Sequence, residues 1–357
     1  NDKTTRSQFK FTFGPEDVEY VSKYKYLGLW FEEHLDLKEM TKPLAASANR
    51  ALGALIAKYH AIGGMSFNVF TSLYNSLVAP VLNYGAAIWG TSSFQHINSV
   101  QNKACRFFLG VSSTTPNCTT RGDMGWPPQT HRQYIEMSRL YHRMQNLDSD
   151  RMVVQVHQFC SNLKYRALWI TKVKSVFNKV GYTGFDETDM GGKLYVKQFS
   201  DKLKLYDQET WYQELFNDVG RSNGNKMRTY RLHKDRIQTE PFLHCVNKYE
   251  RSVFSRLRTG TLPLAIETGR YNNLPLEERI CEHCQIHIED EVHFAIDCPL
   301  YDDIRYAMLQ VLETEYEDFN SRSSVVKYIL LMLSINVKII TSTIVKMFYR
   351  RKLHTDC

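Results

Sequence analysis

The sequence has no hydrophobic run long enough to cross a membrane. Its most apolar stretch, residues 325–348, is interrupted by Lys327, Lys338 and Lys346. The longest uncharged run inside it, 328–337, is about half of what a span requires, so the stretch reads as a buried or partner-facing helix. No basic segment followed by an apolar one opens the chain, and no secretory leader is visible. Without one, the sequon Asn117-Cys118-Thr119 carries little weight. Gly-x4-Gly-Lys-Ser/Thr, Gly-x-Gly-x-x-Gly and His-Glu-x-x-His are all missing, which excludes phosphate-loop, dinucleotide-fold and zincin readings. Internal repeats, heptads and low-complexity tracts are missing too. A disulfide framework is equally unsupported. The eight cysteines are scattered except for three between Cys281 and Cys298, a clustering that suits a metal site in a reducing, intracellular compartment.

What is present is aromatic and segregated by charge. With 19 Phe, 21 Tyr and 5 Trp among 357 residues, the chain can bury a sizeable core and fill two or three domains. The net charge of +7 is modest, but its distribution is not. Between Arg221 and Arg258, ten Lys/Arg face three Asp/Glu; between Leu274 and Asp318, thirteen acids face two Arg. A basic docking face beside an acidic module is the expectation, against the plainer reading of two solvated faces.

Periodicity predicts a mostly α protein. Phe9, Phe11 and Phe13 alternate before Gly14-Pro15, and a β-rich run follows over 24–31; together they read as a strand pair with Gly28 at a bend or close approach. Thr41 then reads as an N-cap with Pro43 in the first turn, leading an apolar stripe of Leu44, Ala48, Leu52, Leu55, Ile56 and Tyr59. A second helix carries Phe70, Leu73, Tyr74, Leu77 and Val78 up to Pro80, and a third carries Ile97, Val100, Ala104 and Phe108 up to Gly110. The expected layout is a strand pair (1–40), a helical bundle (41–112), a helical linker (113–220) and a basic segment with a metal module and C-terminal helix (221–357). The sharpest linker is 220–225.

The strongest chemical signal is Cys281-x2-Cys284-x8-His293-x4-Cys298. Two cysteines two apart grip an ion from one tight turn, and an imidazole and a third thiolate close the tetrahedron. Thiolates with imidazole are the donors Zn²⁺ prefers, and with four protein ligands no position stays open for water, so one structural zinc is expected. His283 and His287 remain as less well spaced substitutes. His287-Ile288-Glu289 does not make a zinc deaminase, because Cys281 and Cys284 precede it instead of following.

Arg270-Tyr271, Glu278-Arg279-Ile280-Cys281, Glu289-Asp290-Glu291-Val292-His293-Phe294, Cys298-Pro299-x-Tyr301 and Arg305 together resemble the CCHC region near the C-terminus of non-LTR (LINE-type) retrotransposon polyproteins. Lys226-Met227-Arg228-Thr229-Tyr230 and Arg256-Leu257-Arg258 are similar to the basic segment before that motif. Tyr24-Lys25-Tyr26-Leu27-Gly28 resembles the strand after the family's catalytic palm. Leu77-Val78-Ala79-Pro80-Val81-Leu82-x-Tyr84-Gly85 with Trp89-Gly90 resembles its thumb. The likeness covers about 20–110 and 226–310. It implies a thumb-like bundle and a zinc module, with element RNA, target-site DNA and the missing palm and fingers as partners, in nucleus and cytoplasm. The family's metal-binding palm aspartates would precede residue 24, and the chain opens on Asn, as a piece of a longer one would. Tyr301-Asp302-Asp303 lacks flanking strands and reads as a solvated helix start, and the tail after Cys298 holds no nuclease constellation. No catalysis is expected of this fragment.

Nucleic-acid binding is the remaining candidate function. Lys226, Arg228, Arg231, Lys234 and Arg236, interleaved with Tyr230 and His233, offer phosphate contacts and stacking surfaces; Arg256 and Arg258 add to them. Lys164, Arg166, Lys172, Lys174 and Lys179 lie on a helical pattern without acids, and Lys42, Arg50 and Lys58 could face a duplex. Since the metal module is itself acidic, the metal is expected to hold 256–270 in place while 226–236 grips. The competing expectation is a zinc-stabilised protein-interaction module, self-associating through 325–348.

Overall fold

The computed structural model describes residues 10–163, 169–184, 190–217 and 226–355. Phe9, Lys164, Arg166, Arg221 and the linker 220–225 lie outside them. The protein is mostly helical, with small hairpins near its N-terminus.

The two aromatic runs do not pair with each other. β1 (Thr12–Phe13) pairs with β2 (Glu16–Asp17), and the second run is itself a hairpin, β3 (Lys23–Tyr26) against β4 (Leu29–Glu32), with Tyr26 opposite Leu29. The reason is the two-residue turn between them. Leu27 and Gly28 both have positive φ, 46° and 86°, the geometry that reverses a right-twisted ribbon most tightly. The close approach expected at Gly28 is also there, since Tyr84 donates its hydroxyl to the Leu27 carbonyl at 2.6 Å.

Helix α1 (Leu37–Ala61) begins a turn before Thr41. Asp36 is the cap and accepts from Lys38 N at 2.8 Å, while the Thr41 hydroxyl bonds back to Leu37 O at 3.0 Å. Pro43 therefore lies inside the helix, where it costs one backbone hydrogen bond. α2 (Phe67–Leu73) widens into a π turn (Tyr74–Val78) immediately before α3 (Ala79–Leu82), whose Pro80 has no N–H to donate. α4 (Ala86–Trp89) and α5 (Gln95–Leu109) complete the bundle, with Gly110 at φ 70° ending α5.

α6 (Asn117–Met124) leads to α7 (Gln129–Gln145), α8 (Met152–Asn162), α9 (Trp169–Val180) and α10 (Gly192–Glu214). Tyr134, Met137 and Tyr141 of α7, Val173 and Phe177 of α9, and Tyr195, Phe199 and Leu203 of α10 form a second core of their own. This core lies within the stretch 113–220 that reads from sequence as a helical linker.

The remaining chain returns to the first core. α11 (Tyr230–His233) is short; α12 (Lys248–Arg258) opens on a reciprocal cap between Asn247 and Glu250; α13 (Ala265–Tyr271), α14 (Asp302–Glu315), α15 (Ser324–Leu333) and α16 (Val337–Thr355) follow. Arg251 of α12 donates to Phe108 O and to the Tyr59 hydroxyl, both at 2.7 Å, with its guanidinium 3.9 Å from the centre of the Phe108 ring. Ile340, Ile344, Met347 and Phe348 form the buried stripe of α16, each contributing about 1.5–3 kcal/mol of burial. Helices α1–α5 thus share one hydrophobic core with residues 242–348, while Met227 and Tyr230 pack in a smaller cluster with Cys118, Trp211 and Leu215. The stretch 325–348 is two helices, and its inner faces, Tyr328 and Leu331 included, are occupied within the chain. None of the helices among the described residues is long and apolar enough to cross a membrane.

Candidate metal centre and nucleic-acid interface

The metal-ligand spacing becomes a small knuckle. Ile280 and Ile288 form an antiparallel bridge, Cys281 N donates to His287 O at 2.8 Å, and Gln285, at φ 54°, donates to Cys281 O at 2.8 Å. That tight reversal turns Cys281 and Cys284 the same way. Across from them, Asp290 accepts from His293 N at 2.8 Å and starts the π turn His293–Asp297, whose end delivers Cys298 through its N–H to His293 O at 2.8 Å.

The donor atoms converge. Those of Cys281, Cys284 and His293 lie within 4.8 Å of one another. Cys281 Sγ is 3.8 Å from Cys298 Sγ, and Cys284 Sγ is 3.5 Å from His293 Nε2. A tetrahedron with metal–sulfur bonds of about 2.3 Å and metal–nitrogen bonds of about 2.0–2.1 Å has S···S edges of about 3.8 Å and S···N edges of about 3.5–3.6 Å. The observed separations match those edges, and 3.8 Å is far beyond a disulfide. Cys281, Cys284 and His293 can hold a metal ion with Cys298 nearby, and Cys281, His293 and Cys298 are all buried.

Burial pushes the Cys298 thiol up to about 12 and raises that of Cys281. Burial acts the same way on Cys284, but the Ile286 and His287 amides outweigh it and hold that thiol below its usual range. The His293 imidazole is lowered by burial, which keeps it a neutral, ligating base at pH 7. A bound cation would replace the protons that burial otherwise retains on Cys281 and Cys298.

Around the knuckle, arginines hold the backbone. Arg305, buried, donates to the Cys298 carbonyl and to Asp302 at 2.6 Å; Arg279 donates to Leu274 O at 2.8 Å and Ile266 O at 3.1 Å. Arg351 of α16 grips Glu289 in a two-pronged bond of 2.6 and 2.7 Å. Tyr301-Asp302-Asp303 is the start of α14, with Tyr301 buried against Phe294 and both aspartates exposed at the helix N-terminus, where the dipole favours them.

The basic segment is placed otherwise than its composition suggests. Tyr230 is fully buried, with its hydroxyl 3.1 Å from Thr119 O and 3.0 Å from Asp123 Oδ1, so it offers no stacking face. Arg258, 1% exposed, bonds the Asp123 carboxylate through Nε and Nη2, both at 3.1 Å, and Glu240 at 3.1 Å. Burial alone would favour its neutral form, but the two carboxylates hold it charged. Lys234 is buried against Glu240 and donates to Gln238 O at 2.7 Å. Lys226 reaches Glu267 at 3.1 Å, and Arg228 pairs with Glu291, whose carboxyl burial raises in spite of that arginine. Gly260, at φ 65°, is where a side chain would collide with the Lys226 carbonyl, so this segment seats tightly on the end of α12.

The cations of the basic segment are therefore largely paired inside the molecule, Arg228 with the acidic module and Lys226, Lys234 and Arg258 with Glu267, Glu240 and Asp123. The expected division, metal holding and 226–236 gripping, is corrected for Tyr230, Lys234 and Arg258, which face inward. Of the others, Arg231 donates to Met227 O at 3.0 Å and lies over the Phe216 ring, half-buried Arg256 donates to Gly110 O at 3.2 Å, and only Arg236, beside Asp235, is largely exposed. Sequence reading missed the anchors Asp123, Glu240, Glu267 and Glu291; the signal for Glu291 was the opposite charge of neighbouring segments.

On the second core the cations face outward. Lys172 and Lys174 are half-buried on α9, Lys179 is exposed over the Tyr206 ring, and Lys193 and Lys197 are exposed on α10. Lys172 and Lys179 line a cleft of about 510 Å³ with Thr91, Ser92, Ser93, Thr171 and Ser175, and among the described residues no carboxylate lines it.

The chain matches no protein-family model, no curated protein and no solved structure.

Proposed function

We propose that the chain is the nucleic-acid-holding C-terminal part of a non-LTR-type reverse transcriptase, stapled by one structural zinc and without a polymerase site of its own. Cys281, Cys284, His293 and Cys298 would hold the zinc, which supplies a fold constraint and no reaction. Element RNA and target-site DNA would be the ligands, the palm and fingers of the parent protein the neighbour, and the nucleus and cytoplasm the setting.

The observation that supports binding is the cleft between α9 and the 91–93 loop. Two lysines and several hydroxyls converge there, and Asp207, the carboxylate that acts on Lys179, lines the adjoining cavity instead. Lysine supplies point charge and hydroxyls supply hydrogen bonds to phosphate oxygens, a combination that positions a backbone without reading its sequence. The test is fluorescence anisotropy with single-stranded RNA and duplex DNA as salt rises. Steep weakening is expected, with the slope of log affinity against log salt falling by about 1 for each of Lys172→Gln and Lys179→Gln. Affinity independent of salt and of both substitutions would overturn the reading.

One observation favours a protein-interaction module instead. Met152, Val156 and Phe159 of α8 are 78, 54 and 67% exposed, an apolar face larger than a solvated helix needs. Salt-insensitive self-association abolished by Phe159→Glu would support it.

A further inference from the structure

Behind the lysine cleft lies a second cavity of about 200 Å³, enclosed by α5, α6, α7 and α10; the two share Ser93, Tyr134 and Lys179 in their walls. Its lining combines amides and aromatics with the carboxylates of Asp207 and Glu214, which pair with His131 and Arg121. Asn98 and Asn102 stand four apart on α5, hence on one face of it. Asn102 is 7% exposed and has no side-chain partner among the described residues. The Asn98 amide donates to Ser93 at 2.9 Å, leaving its oxygen unpartnered; Gln129, 2% exposed, donates to Asn83 at 2.7 Å and likewise keeps a free oxygen. Arg121 holds Glu214 through Nη2 at 2.7 Å while its Nε–H has no acceptor. Tyr134, Tyr206 and Trp211 contribute ring surface.

Unpartnered buried donors and acceptors carry a free-energy cost that a ligand can remove. The ligand must be flat enough to lie against rings and carry adjacent donors and acceptors on its edge. It must also be smaller than the drug-sized molecules that fill pockets of about 300–1,000 Å³. An anionic group should sit one sugar away, in the lysine cleft. We infer that this cavity receives one unstacked base of a single-stranded nucleic acid, with its phosphate held by Lys172 and Lys179. The inference rests on the nucleic-acid reading above and adds a base-dependent contact that phosphate binding alone does not give. Single-stranded segments are where bases can be splayed into such a pocket; duplexes keep them stacked.

The test compares a short single-stranded RNA with a strand of equal length whose residues are all abasic, both by anisotropy with the full chain at low salt. The intact strand should bind about tenfold more tightly, the scale of a stacked and hydrogen-bonded base. Asn102→Leu keeps the volume and removes the amide. It should erase most of that tenfold difference while leaving the abasic strand's affinity unchanged; Asn98→Ala, at a less buried position, repeats the comparison if the first variant is unstable. Equal binding of both strands by the wild-type protein would overturn the pocket and leave phosphate binding standing. A free nucleoside monophosphate that binds as tightly as the strand would overturn the strand assignment. Absence of binding by any oligonucleotide at low salt would overturn this inference and the function it rests on together.

Discussion

Lys234 and Arg258 lie inside the molecule against Glu240 and Asp123, whereas Lys172, Lys193 and Lys197 stand on α9 and α10 without an ion-pair partner among the described residues. By density of positive charge the 221–258 segment looked the better nucleic-acid surface. What distinguishes the two is the neighbouring sequence. Cations in 226–258 alternate with Met227, Tyr230, Val253, Phe254 and Leu257, all core residues, so the backbone that buries those apolar groups carries the cations in with them. A buried charge is tolerated only with a counter-charge, and Asp123, Glu240, Glu267 and Glu291 supply it. On α9 and the start of α10 the apolar residues occupy one face, and the lysines keep to the margin or the opposite side.

The contrast is broken most severely at Arg258. Arg258→Ala would strand the fully buried Asp123 carboxylate and should cost about 3–5 kcal/mol in urea-induced unfolding. Arg258→Ala costing less than about 1 kcal/mol would move the residue to the surface class. Next in size is the staple beneath the acidic partners. Cys284→Ser should abolish uptake of the zinc proposed there, lower the melting temperature by several degrees and speed amide exchange through 279–305, since Glu289 and Glu291 are held from that knuckle, while α9 and α10 keep their protection. Unchanged melting and exchange would show that the arginine pairs suffice without metal.

A third distinction appears on acidification. His233 is buried beside Arg258 and Lys234, and burial, with those cations second, holds its imidazole well below the usual 6.5. The unfolded chain takes up a proton near 6.5 that the folded chain refuses, so stability is lost as pH falls below that value. The loss should be about 1 kcal/mol between about pH 6.5 and 5.5, and it should be absent from His233→Gln. Equal acid sensitivity of the two proteins would mean that His233 is already solvated. The smallest expected effect is on the outward set: Lys193→Gln with Lys197→Gln should leave stability within about 0.5 kcal/mol. A larger loss would give those lysines a structural role like that of Lys234.

Legibility in the sequence followed the range of the determining contacts. The knuckle could be read because all four ligands fall within 18 residues and their spacing alone fixes one turn and one return. Helical stripes were readable for the same reason. The hairpin at Leu27-Gly28 was legible only as a bend, because Leu at positive φ carries no turn signature; the tertiary hydrogen bond from Tyr84 accompanies it. Asp36 lost to Thr41 as the expected cap because Pro43 favours a first-turn position, and propensity at one residue yields to a buried helix start. The partners of Arg258 and Tyr230 lie 135 and 107 residues away, beyond any local pattern, so their direction could not be read.

Arg251 bonds groups that precede it by 143 and 192 residues, the carbonyl of Phe108 and the hydroxyl of Tyr59. During synthesis the aromatic cluster around those two rings is made early and sealed late. At about 5–20 residues per second, Tyr59 waits roughly 10–40 s for its arginine to be polymerised. Throughout that interval the nascent helices present an unfinished apolar seam to water. A ribosome that stalls before α12 would release a chain unable to close it, a ready substrate for holding chaperones and proteases.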